Sequence, residues 1–594
     1  MPLPNGVKPL NTKKNQENED MKRNIYSSLA AAALSLCLLA GCAQSGSEGT
    51  AAPSGSTSQT QSETHPIAET SSGAVTAAPS EQAPESSCTI TFTDAAASAD
   101  GAGAEIDGTA VKITESGVYK LSGSCAEGSV TVKKGVTGVT LVLEDLSLSS
   151  SEGAPLCLNK ESEATVFVSG TVTLTDAEDP ADEDSSDADT ADAFDGAAIK
   201  LKSGATLTME GDGILYLDGS ACKNGIRGAA DSTLTLASAT VNIKAANKGI
   251  SADGGVTIAG GALNIQAGDD AVNTATDLTL SGGVIYLSAG DDALHADGTV
   301  TLGADDGDGP ELHITNCSEG IEANSVVLLS GSGDINAKDD GINATRGSSN
   351  AAVTISGGEW TVNSDGDALD SNGSIVLSGG TVVLYGAENN GNAALDYDGQ
   401  FTYEGGTLLA VGMSGMAQAP GSGLSVTFGS GGMGGGFRGG MMNGAQNDSL
   451  FSITAGSTLT ITDAEGSVLC TAEAVKNANS VIFASDTLAE GETYTLLIDG
   501  TQAATAEALT GTGLGGGMAG GSRGGMGGGF HGGMSGDLPD GTTGGFQPPA
   551  DGERPQHGRF SGQLPPDGAR PEPPQGGMGP GTEDSASDSQ TSQP

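Results

Sequence analysis

The stretch VTIAGGALNIQAGDDAVNTATDLTLSGGVIYLSAGDDAL (256–294) contains one short pattern twice. AGDDA occupies 267–271 and again 289–293, and each copy is followed by an aliphatic residue, Val272 or Leu294. Between the copies, short segments alternate apolar and polar residues and are separated by a Gly-Gly pair. Alternation with a period of two is typical of β-strands, and paired glycines are typical of turns. The stretch therefore predicts strand–turn units that repeat every 22 residues.

The pattern recurs along the middle of the chain at intervals of 21 to 27 residues. In each copy a short polar motif precedes an aliphatic residue, which we call the pivot. The clearest pivots are Ile226, Ile250, Val272, Leu294, Ile321, Ile342 and Leu369, with weaker copies at Ile199 and Leu395. A nearly constant period of this length predicts a solenoid, in which each repeat packs only on its neighbours.

One such repeat has room for three short strands and three turns, which make one coil of a parallel β-helix. Leucine-rich repeats have a similar period, but their Leu and Asn consensus and their helical side are missing here. We therefore predict an all-β protein, a right-handed parallel β-helix of roughly ten coils over 110–412, with a small C-terminal β module and disordered termini.

The alternation also predicts which side chains point into the solenoid. Two inward columns contain Leu263, Ile265, Ile285, Leu287, Trp360, Val362, Val382 and Leu384. Trp360, the single tryptophan, is thus expected in the core and not on a sugar-binding surface. Tyr286 falls on the outward column between them, which makes it the better candidate for an aromatic side chain that contacts carbohydrate.

Carboxylates recur two and three positions before the pivots. Equivalent residues of successive coils lie about 4.8 Å apart, the spacing of paired strands, so these side chains form a ladder. The predicted ladder consists of Asp269, Asp270, Asp291, Asp292, Glu319, Asp339, Asp340 and Asp367. Lys248 interrupts the column next to Asp270.

Two carboxylates about 5 Å apart repel by roughly 3 kcal/mol at an effective dielectric of 20. Calcium binds oxygens at about 2.3–2.6 Å, so ligands on opposite sides of one ion lie nearly one coil apart, whereas magnesium is smaller and strictly octahedral. We therefore predict Ca²⁺ as the cofactor, in particular between Asp270 and Asp292 and between Asp340 and Asp367. The alternative is that the acids are solvated corner residues.

The charge balance excludes several partners. Seventy-five Asp and Glu residues oppose 24 Lys and Arg residues, which gives a formal net charge of −51. Nucleic acids and anionic membrane surfaces both require a basic footprint, so neither is an expected direct partner. The acidic segment GADDGDGP (303–310) lacks the distal Glu of a calcium-binding loop and is expected to be a solvated turn.

The N-terminal region predicts where the protein is located. A basic segment, MKRN (21–24), precedes an apolar stretch that is short for a membrane span. The stretch ends in LAGC (39–42), which resembles a bacterial lipobox, and this resemblance implies that Cys42 carries the lipid. We expect a signal region over 1–42 and a lipoprotein on the extracellular face of the cell membrane, attached through its lipid anchor only.

Composition divides the rest of the chain. We predict a flexible tether over 43–87, the β-helix domain over 88–412, a Gly/Met-rich linker over 413–448, a small β module or cap over 449–504, and a disordered tail over 505–594. The acidic run 176–195 interrupts the solenoid and is expected to be a disordered loop. Six cysteines follow Cys42 without a CxxC pair, which argues against a zinc site. Only Cys88 and Cys125 are considered as a disulfide pair.

The motifs together resemble a known family. The pivot motif, the TISGG and TLSGG corners, and the segment from TLTITDAEGSVLC (458–470) to TYTLLIDG (493–500) look like the clostridial carbohydrate-binding β-helix proteins. Members of that family are pectate-lyase-like, calcium-containing surface proteins that bind cellulose and polygalacturonate. The resemblance covers roughly residues 88–500 and implies a noncatalytic protein that binds a plant cell-wall polysaccharide.

Two alternatives remain at the sequence level. A calcium-dependent polysaccharide lyase would need a Lys or Arg base beside a calcium-held uronate, and Lys248 and Arg346 are the candidates. His295, in GDDALH, superficially resembles part of a polygalacturonase site, but the other signatures of that family are missing. A purely structural stalk or adhesin is the other alternative.

Overall fold

The computed structural model describes residues 82–178, 196–305, 307–345, 351–429 and 451–511. Within these ranges the protein is all-β, and no helix is long and apolar enough to cross a membrane. The predicted lipobox with Cys42, most of the predicted tether and tail, and Arg346 lie outside the described residues. So does most of the acidic run 176–195.

The chain winds into a parallel β-solenoid of about ten turns, as predicted. Each turn contributes one strand to each of three sheets, which we call the pivot, middle and closing sheets. The pivot sheet contains Ala110–Ile113, Ser129–Val132, Leu156–Leu158, Ala197–Leu201, Asn224–Gly228, Ile250–Ala252, Val272–Thr274, Leu294–Leu302, Ile321–Leu328, Ile342–Ala344, Leu369–Ser371 and Leu395–Tyr397.

The middle sheet follows the pivot sheet in each turn. Its strands are Val139–Ser150 (first half), Glu163–Ser169, Thr206–Gly211, Thr233–Leu236, Gly255–Ile258, Leu278–Leu280, the second halves of Leu294–Leu302 and Ile321–Leu328, Ala352–Ile355, Ser374–Leu377 and Phe401–Tyr403.

The closing sheet completes each turn. Its strands are the second half of Val139–Ser150, Thr171–Asp176, Ile214–Gly219, Thr240–Ala245, Ala262–Ala267, Val284–Ser288, Glu311–Asn316, Ser332–Ala337, Glu359–Ser364, Thr381–Tyr385 and Thr407–Gly412.

The pivots pair in register through the whole solenoid. Val272 lies opposite Ile250 on one side and Leu294 on the other, and the weaker copies, Ile199 and Leu395, occupy the same column. The predicted inward residues are buried, including Trp360, which is 1% exposed. Apolar side chains from the three sheets thus form one continuous core along the solenoid axis.

Both ends of the solenoid are covered. At the N-terminal end, Cys88–Phe92 pairs in parallel with Gly117–Cys125 and antiparallel with Ala97–Asp100, and Ala104–Asp107 forms a hairpin with the first pivot strand. At the other end, Ser480–Ser485 pairs antiparallel with Thr407–Gly412. Such covers remove the unpaired strand edges through which solenoids would otherwise associate.

The remaining C-terminal strands form a second, smaller core. Leu424–Phe428 pairs with Ser480–Ser485 and with Leu509–Thr510. A separate antiparallel sheet contains Thr458–Thr462, Val468–Glu473, Thr493–Ile498 and Thr501–Glu507. Apolar residues from both sets pack around Phe428 and Phe483.

The cysteines behave as small apolar residues. Cys88 and Cys125, the pair considered for a disulfide, are free thiols, and both are buried. Cys222 and Cys317 are also buried, whereas Cys157 and Cys470 are half-buried. No disulfide forms among the described residues.

Candidate functional site

The predicted carboxylates meet at the corner where the closing sheet turns into the pivot sheet. Two columns line this acidic corner: the residues two positions before the pivots, such as Asp270, and those one position after them, such as Asn273. Asp270 and Asp292 are buried, while Glu319, Asp340 and Asp367 are half-buried. Burial of carboxylates is costly unless they are hydrogen-bonded or paired with cations.

Hydrogen bonds explain part of the burial. Asp340 Oδ1 accepts the backbone N–H of Asp367 in the next coil at 2.7 Å, and Asp367 Oδ1 accepts that of Ala393. Asn224 does the same for the backbone N–H of Lys248 at 3.3 Å. The column is therefore a coil-to-coil hydrogen-bond ladder, and an amide side chain such as that of Asn224 can serve in it as well as a carboxylate.

Lys248 neutralises the first acids of the ladder. Its ammonium group forms ion pairs with Asp270 and, at 3.3 Å, with Asp269. Burial opposes the charged ammonium, but the hydrogen bond and charge of Asp270 outweigh it, so the pKa of Lys248 lies above its ordinary value. Carboxylate oxygens of Asp269, Asp270 and Asp291 lie within 4.8 Å of one another. The chain therefore supplies a cation of its own to a trio that has the donors for a metal ion.

In the next coils, a second group of carboxylates is paired with a basic side chain. His295 Nδ1 lies 2.9 Å from both Asp292 Oδ2 and Glu322 Oε2. Hydrogen bonds with Asp292 and Glu322 raise the pKa of His295 to about 10, so the ring is an imidazolium at neutral pH. In turn, His295 holds the pKa of Glu322 well below its usual range, whereas burial raises the pKa of Asp292 to about 6.

Glu319 lies beside this trio without a cation of its own. Its Oε2 accepts a hydrogen bond from the Asn343 amide at 3.0 Å. Burial, followed by the charge of Glu322, raises the pKa of Glu319 to about 8. Among the described residues, no Lys, Arg or His forms an ion pair with it.

The C-terminal part of the corner has carboxylates that no described basic side chain pairs with. Asp340, Asp367, Asp370 and Asp396, which we call the C-terminal acidic group, lie on adjacent coils. Burial raises the pKa of Asp340, and it raises that of Asp367 to about 6. Burial and then the charges of Asp340 and Asp396 raise the pKa of Asp370 to about 7. In the described part of the chain no basic side chain is ion-paired with these four acids.

A different surface carries the exposed aromatic residues. Tyr286 is 43% exposed, as expected for its outward position, and it stacks on His313 with ring centroids 4.6 Å apart. Three coils earlier, Tyr216 occupies the same column and is also 43% exposed. Between the two tyrosines lie Asn242 and Asn264, whose side chains are joined by a 2.9 Å hydrogen bond. We call this column, from Tyr216 to His313, the tyrosine strip.

The tyrosine strip combines side chains that can contact a sugar chain. Its two tyrosines lie three coil spacings apart, which is about 14 Å. Aromatic faces can pack on the C–H face of a pyranose ring, while amide groups can bond its hydroxyls in both directions. The sequence pattern did not identify Tyr216 as a candidate carbohydrate-binding residue, because its strand, ILYLDG (214–219), has no Gly-Gly corner that aligns it with the other strands.

The acids predicted as metal ligands thus divide into three environments. Asp269, Asp270 and Asp291 lie together near Lys248, Asp292 lies with His295 and Glu322, and Asp340 and Asp367 belong to the C-terminal acidic group. Asp339, one position before Asp340, is exposed. The structure shows that Glu322, Asp370 and Asp396 also belong to the corner, a column that the sequence pattern before the pivots does not include.

The chain is similar to one family of known proteins. A family model described as carbohydrate-binding domain-containing protein matches residues 107–307 and 306–494. Curated proteins give no match. Among solved structures, the chain is similar to the polysaccharide lyase-like protein from C. thermocellum in its gadolinium derivative, with 19% identity and a TM-score of 0.26. That match covers 53% of this chain and 96% of the other. Because the family matches span more than half of the 594 residues, the chain belongs to the family of carbohydrate-binding domain-containing proteins.

Proposed function

We propose that this protein is a lipid-anchored, noncatalytic surface protein that binds a plant cell-wall polysaccharide through its tyrosine strip and is stabilised by calcium. The observation that carries the proposal is the pairing of two exposed tyrosines, Tyr216 and Tyr286, across a hydrogen-bonded asparagine ladder. An extended glycan that lies along the solenoid axis would present successive sugar rings to successive coils.

The position of the acids favours a neutral glycan such as cellulose. An acidic glycan would need calcium that bridges its uronates to the protein, because the net charge of −51 otherwise repels it. Asp270 and Asp292 are only 3% and 6% exposed, so an ion that bridges to a glycan would depend on the more exposed Asp269 and Asp291. The tyrosine strip, in contrast, offers uncharged groups at its centre.

Calcium is proposed as a structural ion at the acidic corner. The donor set fits, since carboxylate oxygens are the ligands that calcium prefers. Burial, and then the charges of neighbouring acids, raise the pKa values of Asp367 and Asp370, and a cation would offset both effects. Asp340 and Asp367, with Asp370 and Asp396, would hold an ion in the C-terminal acidic group. Asp269, Asp270 and Asp291 would hold another where Lys248 now contributes part of the positive charge.

The noncatalytic hypothesis is supported by the state of the candidate bases. Lys248 is paired with two carboxylates, and its raised pKa makes it a poor base at neutral pH. His295 is held as an imidazolium between Asp292 and Glu322, so it has no proton-accepting nitrogen. A lyase would need one of these groups released beside its substrate.

Affinity electrophoresis in gels that contain cellulose derivative, xylan or polygalacturonate tests the proposal, with calcium and with EGTA. We expect retardation by the neutral glycan in both conditions. Retardation only by polygalacturonate with calcium would move the binding site to the acidic corner, and no retardation by any glycan would favour a structural stalk.

A second experiment tests the noncatalytic part of the proposal. Incubation with polygalacturonate and calcium should produce neither unsaturated uronates, detected by ultraviolet absorbance, nor new reducing ends. Either product would make the protein an enzyme.

A further inference from the structure

A separate cluster of metal-binding side chains lies where the chain leaves the solenoid and returns to it. Asp176 ends its closing strand, Glu178 follows it, and Cys222 precedes the pivot strand Asn224–Gly228. One ligand atom from each of the three lies within 4.8 Å of the other two. These residues lie at the same turn from the closing to the pivot sheet, in earlier coils than the acids described above, and none of those acids belongs to this cluster.

Asp176 is the unusual member of this cluster. Its neighbour Thr175 pairs with Asp218, which sets Asp176 beside Gly219, and the next coils have Ala245 and Ala267 in that column. A carboxylate therefore occupies a core column otherwise filled here by small residues. Its side chain is fully buried, and although Oδ1 accepts the backbone N–H of Glu178 at 3.0 Å, Oδ2 has no hydrogen-bond partner among the described residues.

The unpartnered oxygen is aimed at the Cys222 thiol. A methyl group built on Gly196 would lie 3.2 Å from Asp176 Oδ2 and would collide with Cys222 Sγ, so both atoms converge on the space that this glycine leaves open. Burial, followed by the charge of Asp176, raises the pKa of Cys222 to about 12, so the thiol keeps its proton when no cation is present. In the absence of a metal ion, the protonated thiol is a weak hydrogen-bond donor for this oxygen, and Lys223 supplies a nearby positive charge.

We propose that Cys222, Asp176 and Glu178 bind a divalent transition-metal ion, and that zinc is the ion this donor set fits best. Thiolate is a soft ligand that selects against calcium and magnesium, whereas zinc accepts one sulfur with carboxylate oxygens. Zinc would take sulfur at about 2.3 Å and oxygen at about 2.0–2.2 Å, which requires small side-chain rotations that draw the three donors together. Three protein ligands leave the fourth tetrahedral position to water.

Binding releases the Cys222 proton to solvent and gives Asp176 Oδ2 the partner it lacks. The ion would tie the strand that ends at Asp176 to the coil that begins at Asn224, on the two sides of the segment 179–195. A site of this kind needs no CxxC pair, because it uses a single thiolate with carboxylates brought in by the solenoid.

The test uses purified, reduced, metal-free full-length protein in a buffer with excess calcium, which keeps the acidic corner supplied. Calorimetric titration should show one zinc ion per chain, and cobalt(II) should give a sulfur-to-metal charge-transfer band. Cys222→Ser should abolish the band and weaken zinc binding by more than the roughly 10–100-fold typical of losing an outer-shell partner. Cys125→Ser, which removes another buried thiol on an earlier coil, should leave both unchanged.

The absence of a cobalt–sulfur band in the wild-type protein, or zinc affinity that Cys222→Ser leaves unchanged, would overturn the site. If Cys222→Ser does not fold, the half-buried Glu178 provides the second variant. Glu178→Gln should keep the cobalt–sulfur band and bind zinc more weakly, and an unchanged affinity would contradict its role as a ligand. Carbohydrate binding by the tyrosine strip should be the same in all of these variants, so this test is independent of the proposed function.

Discussion

The backbone N–H of Asp292 donates a hydrogen bond to the side chain of Asp270 in the preceding coil, with a nitrogen–oxygen distance of 3.2 Å. The ladder acids therefore have two roles that can be separated by substitution. As acceptors they bond the backbone of the next coil, and as charges they repel one another. An Asp→Asn change keeps the first role and removes the second, whereas Asp→Ala removes both.

Asp340 offers the clearest separation, because its acceptor bond to the backbone of Asp367 is short and no ion pair among the described residues neutralises it. In EGTA, we expect Asp340→Asn to unfold at the same temperature as the wild type or higher, since a repulsion is removed. Calcium should stabilise the wild type by about 2.7 kcal/mol at a hundred times its dissociation constant, and the variant by less. In EGTA, Asp340→Ala should be about 1 kcal/mol less stable than Asp340→Asn, because it also loses the acceptor bond, and it should share the smaller response to calcium.

The single tryptophan makes these measurements simple. Trp360 is 1% exposed and lies on an inward column of the solenoid, so its emission reports unfolding of this domain. Equal calcium responses for the wild type and Asp340→Asn would contradict a metal ion at the C-terminal acidic group.

Lys248 should matter most when calcium is absent. Its ammonium contacts buried Asp270, and Lys248→Gln leaves that carboxylate without an ion-pair partner in the described part of the chain. Breaking a buried pair in this way costs about 3–5 kcal/mol, and we expect the lower end because Lys248 keeps 24% exposure. Calcium should restore more of the loss in this variant than in Lys200→Gln, a control on the outer face of an earlier pivot strand. If calcium restores nothing, the Asp269, Asp270 and Asp291 trio does not bind it.

Stability should depend on pH in a defined direction when calcium is removed. Burial raises the pKa of Glu319 to about 8, of Asp370 to about 7 and of Asp367 to about 6, all above their values in an unfolded chain. The folded state then binds more protons than the unfolded state, so stability rises as the pH falls from about 8 towards 5.

His295 acts in the same direction, because its pKa of about 10 lies above that of an unfolded histidine. Glu322, whose pKa is lowered, loses its contribution only below about pH 4.5, outside this window. Thermal unfolding in EGTA from pH 8 to pH 5 should show a gain of at least roughly 1 kcal/mol, or about 2–4 °C. Saturating calcium should flatten the profile, and a loss of stability over this range in EGTA would show that the carboxylates are not buried as charges.

Sequence periodicity was sufficient to predict the fold, because every coil of a solenoid has the same pattern of strands and turns. Each pivot had to match the one before it, and Ile199 and Leu395 fell into register even where the surrounding motif was weak. The same alternation placed Trp360 inside and Tyr286 outside. Local sequence patterns thus predicted the pairing of distant strands, which in most β proteins cannot be read from the sequence.

The site was harder to predict because it depends on neighbours that the repeat does not mark. Asp370 and Asp396 follow their pivots and join the corner from the other side of the strand. Asp176 and Cys222 meet because adjacent coils set Asp176 beside Gly219, three residues before Cys222. Whether an acid faces Lys248, His295 or only other acids also follows from side-chain direction, which spacing alone does not reveal.

The proposed anchor makes a prediction about location. If the cysteine of LAGC (39–42) carries lipid, Cys42→Ser should move the protein from the membrane fraction to the medium or the soluble fraction. A lipid chain provides the attachment that so acidic a surface does not. Fractionation with immunodetection tests this, with Cys37→Ser, in the apolar stretch, as the control that should stay with the membrane. Retention of the Cys42 variant in the membrane would contradict the lipobox.

Carbohydrate binding through the tyrosine strip is tested most directly by comparing four proteins in one binding titration against the glycan that retards the wild type. These are the wild type, Tyr216→Ala, Tyr286→Ala and the double variant, with Val475→Ala as a control for losing an exposed apolar side chain outside the strip. Each strip substitution should weaken binding by about 10-fold, near 1.4 kcal/mol, and the double variant by more. Both strip residues are exposed, so the unfolding temperature should not change. Wild-type affinity in the double variant would contradict carbohydrate binding through the tyrosine strip.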